Sequence, residues 1–175
     1  MGVRFRISAK RIFREFIRGG MSLASEHQRR LFDIFELRDI DRQLLYTLSY
    51  LHENRITYRD LKPANVLLLY RHPIHIKVTD FGVASKSDSL RTFCGTDRYV
   101  APEVRAGKRY TNKVDLWSVG IITLQLSLGL PEYPEIHNEW PRVLYDYLNS
   151  ADPSPVVHFI SCLLQRDPDT RFSAA

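Results

Sequence analysis

The sequence predicts a mainly α fold carrying small β-hairpins, and three observations predict it. Leu37, Ile40, Leu44, Leu48 and Leu51 recur at three- and four-residue steps, the apolar stripe of a helix. Ile74, Ile76 and Val78 alternate with His75 and Lys77, the period of a strand with one buried face. From Pro102 onward the pattern is helical, broken by loops at Pro131, Pro134, Pro141, Pro153 and Pro155.

Taken in order, the stripe has Asp39 and Asp41 near its start and Arg55 after its end, the sense that the helix dipole favours. Ile56-Thr57-Tyr58 and Val66–Tyr70 are short β-branched or apolar runs and read as strands. Arg71-His72-Pro73 reads as a hairpin turn, and His72 and His75 belong to it rather than to a metal site. Val114–Leu130 is the longest apolar run; it carries Asp115 and reads as a buried helix. No run reaches the roughly 18–20 apolar residues of a membrane span. Trp117 and Trp140 are expected to pack inside, whereas Tyr145 and Tyr147 have no partner evident in the sequence. "LHEN" at 51–54 lacks the second histidine of a zinc-protease helix.

Composition narrows the classes. The 175 residues suit one domain or most of one, and a 44% hydrophobic content is enough for a core. Cys94 and Cys162 are too far apart for a CxxC metal pair. Arg4, Arg6, Lys10, Arg11, Arg14 and Arg18 interrupt every apolar stretch of a would-be signal peptide, so an intracellular protein of cytoplasm or nucleus is expected. The net charge of +5 is concentrated at one end: residues 1–30 hold eight Lys/Arg and two Asp/Glu. This arm reads as a solvated face, since no nucleic-acid module follows it. Neither nucleic acid nor membrane is an expected partner.

The chemistry lies in "ITYRDLKPANVLL", residues 56–68. Asp60 and Asn65 fall on one loop between strand candidates, and Asp80 follows the alternating strand inside "TDFG". An Asp and an Asn on adjacent loops suit Mg²⁺, which takes few protein ligands and keeps phosphate oxygens or waters. Asp60 is then left to accept a proton from an attacking hydroxyl. Lys62 reaches the same space and neutralises charge on a transferring phosphoryl group.

"YRDLKPAN", "DFG" and "APE" in that order, supported by "VDLWSVG", resemble the eukaryotic protein kinase family, and the lysine of "DLKPAN" resembles its serine/threonine branch. "SLRTFCGT" is similar to checkpoint and calmodulin-dependent kinases. The resemblance implies ATP and Mg²⁺ as cofactors, a protein substrate and an upstream activating kinase. It implies Asp60 as catalytic base, Lys62 on the phosphate, and Asn65 and Asp80 on the metal. Arg59 would hold an activation-segment phosphate, on Thr92 first and then on Ser89 or Ser87. Thr96 would line the substrate loop. Phe81 and Gly82 complete the DFG turn, Glu103 and Arg171 form a buried ion pair, and Asp115 anchors the catalytic loop from below. Tyr58 stands where a histidine is commoner and would pack against Phe81. Asp97 replaces a proline, which loosens that loop.

No G-x-G-x-x-G occurs in the sequence. "RIFREFIRGGMSL" aligns with the last small-lobe strand, the hinge and the next helix, which gives the backbone of Glu15 and Ile17 to adenine. The expectation is therefore a basic extension over 1–11 and a partial kinase domain over 12–175. That domain is a kinase-like C-terminal lobe with the small lobe largely missing and the last helix absent. The alternative is a catalytically silent kinase-like module that works by binding partners.

Overall fold

The computed structural model describes residues 20–86 and 90–174. Expectations placed on Glu15, Ile17, Ser87, Ser89 and the 1–11 extension lie outside the described residues. The order is β1 (Met21–Ser22), α1 (Leu23–Arg29), α2 (Ile34–Glu53), β2 (Ile56–Thr57), β3 (Val66–Arg71), β4 (Ile74–Val78), β5 (Ser85–Lys86), α3 (Pro102–Arg105), α4 (Lys113–Ser127), α5 (Trp140–Ser150) and α6 (Pro155–Leu163). The body is helical and carries two small antiparallel sheets, one ordered β1-β3-β4 and one pairing β2 with β5.

α2 begins earlier than its charges suggest. The Asp33 carboxylate accepts from the N–H groups of Phe35 and Glu36, both at 2.9 Å, and Glu36 Oε2 accepts from Asp33 N at 3.0 Å. This reciprocal capping box sets the first turn. Asp39 and Asp41 therefore lie within the helix rather than near its start, and Asp41 is buried. Two side chains fasten α2 to the hairpin. Arg71 donates to both Glu36 oxygens and to Leu31 O, while its guanidinium lies 4.6 Å from the Phe32 ring. Burial alone would raise the Glu36 pKa, but Arg71 together with the Asp33 N–H outweighs it and holds the carboxyl below the usual range. Gln43 donates to Ile74 O and accepts from Ile76 N, pairing its amide with the backbone of β4.

β3 and β4 form the hairpin over His72-Pro73, with Val66 opposite Val78. Ile74, Ile76 and Val78 are buried and His75 and Lys77 exposed, as the alternation predicts. β2 is shorter than its apolar run. It pairs not with β3 but with β5, Ile56 opposite Lys86, so the loop after it is free to cross toward α4.

α4 is the central element. Leu116, Val119, Ile122 and Leu126 pack with α2 and the hairpin, while Trp117, Ile121 and Leu124 pack with α5 and α6. A helix apolar on all sides is a core helix. At Gly120 a Cβ would meet Leu164 Cδ2 at 2.7 Å, so only glycine lets α4 approach the end of α6 this closely. Trp140 donates to Arg98 O, Tyr145 to Leu164 O and Tyr147 to Leu128 O; the last two partners were not visible in the sequence.

Arg171 closes the base of the fold. It is 2% exposed, and all five of its N–H donors are used, on both Glu103 oxygens, Lys113 O and, twice, Gln165 O. Its guanidinium lies over Trp117 at 5.3 Å. Arg171→Ala leaves Glu103 charged and dry, and should cost about 3–5 kcal/mol of unfolding free energy. Replacing Glu103 by Leu and Arg171 by Met together should recover most of that loss. Urea titration of the three variants checks both statements.

Candidate active site

The site is built on the loop that leaves β2. Asp115, in the first turn of α4 and 0% exposed, accepts from Tyr58 N at 2.9 Å and Arg59 N at 2.8 Å, with His52 Nε2 at 2.9 Å. These bonds turn two consecutive amides inward. Arg59 takes a left-handed φ of 75° to comply, and the chain reverses so that Asp60 faces out. Leu61 and Pro63 are buried beneath the turn and hold it against the core.

Four side chains meet there. Lys62 Nζ donates to Asp60 Oδ2 at 2.9 Å and to Thr96 Oγ1 at 2.6 Å. Thr96 Oγ1 donates to Asp60 Oδ1 at 2.9 Å. Asn65 Nδ2 donates to the Asp60 carbonyl at 2.9 Å and to its carboxylate at 3.1 Å. Both contacts of the Asn65 side-chain nitrogen are on Asp60, and the Asn65 main-chain carbonyl accepts from the N–H and the hydroxyl of Thr79, which ties this loop to the end of β4. Asp80 is the next residue, with φ 59° and an exposed side chain whose Oδ1 accepts from Gly82 N at 3.2 Å.

Tyr58 links the two loops. Its ring meets Phe81 edge-on at 5.1 Å, and its hydroxyl lies within hydrogen-bond reach of the carbonyls of Thr79 and Asp80, either of which can take its one proton. Burial raises the Tyr58 pKa well above the ordinary phenol, and the charges of Asp80 and Asp60 raise it further, so both carboxylates act on the same hydroxyl. Asn65 and Asp80 thus offer an amide and a carboxylate oxygen from adjacent loops, a hard donor set that suits Mg²⁺. Among the described residues no three of His, Cys, Asp or Glu come together as a metal site.

The segment after DFG returns to this loop. Gly95 has φ 101°, and a Cβ there would meet Arg59 O at 2.7 Å, so glycine is required for Thr96 to reach Asp60. Arg59 Nε donates to Val83 O. Tyr110 lies beside the Arg59 guanidinium and donates to Thr92 O at 2.7 Å. Leu90 and Tyr110 exchange backbone bonds at 3.0 Å, which holds this segment against the body. Residues 97–99 form a turn of 3₁₀-helix, Asp97 O accepts from Arg105, and its carboxylate faces Arg105 at 3.9 Å and His137 at 3.3 Å.

Sequence reasoning missed His52 and Tyr110. His52 sits one turn past Leu48 on the helix stripe, and that position was the available signal; Tyr110 gave none.

The helical body with its small sheets and this cluster of polar side chains are of the kind a phosphotransferase carries. Residues 8–175 match the protein kinase domain, and the chain belongs to the protein kinase family. Its relatives are serine/threonine kinases. It is 36% identical to the serine/threonine-protein kinase gad8 of Schizosaccharomyces pombe, over 91% of this chain and 29% of that protein. It is 35% identical to a probable myosin light chain kinase of Dictyostelium discoideum, over 91% of this chain and 49% of that protein. It is 36% identical to the Aurora kinase of Eremothecium gossypii, over 74% of this chain and 36% of that protein. The chain thus spans half or less of the length of these three relatives. Among the described residues no helix is long and apolar enough to cross a membrane.

Asp115→Asn keeps the shape but exchanges one acceptor for an NH₂ facing the Tyr58 and Arg59 amides. It should destabilise the fold by about 2–3 kcal/mol. It should also speed hydrogen exchange at those two amides more than at β3 and β4, which peptide-resolved exchange measures.

Proposed function

We propose that residues 56–103 form the catalytic face of a protein serine/threonine kinase that transfers the ATP γ-phosphate to a protein hydroxyl. The observation that carries this reading is the closed set of bonds joining Asp60, Lys62, Thr96 and Asn65. Asp60 is the base. Its Oδ1 has a single donor, Thr96, and so has room for a substrate hydroxyl whose proton it accepts. Lys62 holds the Asp60 and Thr96 oxygens in place and presents its charge to the phosphoryl oxygens. Asn65 and Asp80 are the residues that would hold Mg²⁺, which supplies charge neutralisation between the phosphates when bound. Glu15 and Ile17 are the proposed backbone contacts to adenine, in a kinase segment that starts near Ile12. Thr96 and its neighbours line the path of the substrate, and Phe81 and Gly82 shape the turn that presents Asp80.

Arg59 is the proposed partner of a phosphate on Thr92, with Ser89 next in order. The line Arg59–Tyr110–Thr92 supports this pairing. An upstream kinase would then act through charge: a phosphate adds about −1.5 to −2 at a segment already tied to the catalytic loop.

The alternative reading is a module that binds partners without transferring phosphate. The test joins residues 12–175 to a complete small lobe and measures Mg²⁺-dependent phosphate incorporation into protein. Asp60→Asn should lower the rate by about 10²–10⁴-fold. Activity indifferent to Asp60 would end the kinase reading of this loop, and no transfer from the joined protein would favour the binding module. Thr92→Ala and Arg59→Ala should each lower activity to a similar degree, and the double variant should be barely worse than either. Additive losses would separate the two residues.

A further inference from the structure

α2 and α4 run antiparallel and share two polar rungs. At the site end, His52 meets Asp115. At the other end, Thr123 Oγ1 lies 2.7 Å from Asp41 Oδ1. The rungs are eleven positions apart on α2, about 16 Å of helix, and the contact between them is apolar, through Leu44, Leu48, Val119 and Ile122. The rungs differ in satisfaction. Asp115 has two backbone donors besides His52, whereas among the described residues Asp41 has Thr123 alone.

The Thr123 hydroxyl is also 3.0 Å from Val119 O. One hydroxyl carries one proton, so it serves either the carboxylate or the carbonyl. A neutral Asp41 removes the conflict: its own O–H donates to Thr123 Oγ1, and Thr123 donates to Val119 O. Asp41 also lines a groove of about 540 Å³ between α2 and α6, whose other walls include Leu37, Leu45, Val156 and Phe159. The cations in that lining are Arg38 and Arg42 of α2 itself, and both lie against Asp39, at 3.6 and 3.5 Å. α4 contributes only Thr123 to the lining, and α6 contributes no titratable group. Among the described residues no counter-charge is therefore committed to Asp41. Burial pushes its carboxyl up to about 7, and the Thr123 bond works against that rise only in part.

We propose that the groove end of the α2–α4 contact is a proton-linked latch. It is closed while the Asp41 carboxylic acid donates to Thr123, and open when Asp41 releases its proton to water and is hydrated in the groove. Only the Asp41 O–H is broken, and its proton goes to solvent. The site end, whose Asp115 is held by backbone amides, stays shut. The latch is thus a two-state element that changes the lobe's far face without dismantling the catalytic loop.

Opening releases a proton wherever the open form is ionised and the closed form is not. The opening equilibrium should therefore rise about tenfold per pH unit from about pH 5 to about pH 7 and level off above that. The test is hydrogen exchange on the whole chain at about pH 5, 6, 7 and 8, corrected for intrinsic rates and resolved by peptide. Residues 37–45 and 121–127 should follow this curve, and residues 66–71 should stay flat. In Asp41→Asn the dependence should vanish. A flat wild-type curve, or the same rise in Asp41→Asn, would overturn the proposal. Should Asp41→Asn fail to fold, carbon-13 NMR of the aspartate carboxyls in the wild-type chain decides. A carboxyl titrating at about pH 6–8 supports the latch, and none above about pH 6 overturns it.

Discussion

A single buried carboxylate sets the geometry of this lobe. Asp115 has no access to water, so its charge must be met by donors inside the protein. It takes the amides of Tyr58 and Arg59 and the ring of His52, which come from two different stretches of chain. Because two successive N–H groups must point the same way, the backbone at Arg59 cannot continue as a strand. β2 therefore stops after Thr57, Tyr58 turns in, and Asp60 turns out. The placing of the polar cluster at the surface edge of the core is a consequence of the burial of Asp115.

That constraint needs a rigid post, and α4 provides it. Both of its faces are packed, one on α2 and the hairpin and the other on α5 and α6. A shift of α4 would have to disturb two cores at once, together with the Gly120–Leu164 approach and the Arg171 contacts to Glu103 and Lys113 O. The bonds at Asp115 are therefore held at the N-terminal end of the least movable helix of the lobe. Its first-turn position also suits a negative charge.

The sequence was legible where a structure repeats a local period. The α2 stripe and the alternation of β4 are such periods, and the run of Asp60, Lys62 and Asn65 is a local signature. Illegibility began where polar groups pair across long separations. β2 and β5 are two residues each, too short to show a period, and their pairing joins Ile56 to Lys86. Asp39 and Asp41 resembled a helix start because both are acids. The true start was written in Asp33 and Glu36, three residues apart. Only the fold reveals Thr123, 82 positions away, as the partner of Asp41. The same limit hid His52, whose partner is 63 positions away, and the partners of Asp97 on α3 and near α5.

The candidate site also stores backbone strain, and its location is informative. Of the three described non-glycine residues with left-handed backbone, Arg59 and Asp80 flank the polar cluster. Such conformations cost about 1–3 kcal/mol each and persist only where the surroundings over-determine them. Asp115 does so for Arg59. For Asp80 the Tyr58 hydroxyl and the Gly82 amide do so. Tyr58 is a donor suited to that position, because burial and two neighbouring carboxylates hold its pKa far above neutral pH. The donor that fixes Asp80 therefore does not titrate in the range where Asp41 does. The Tyr58 bond that fixes Asp80 and the Thr123 contact of Asp41 thus answer to protons in different ranges, although both are bonds between buried polar groups.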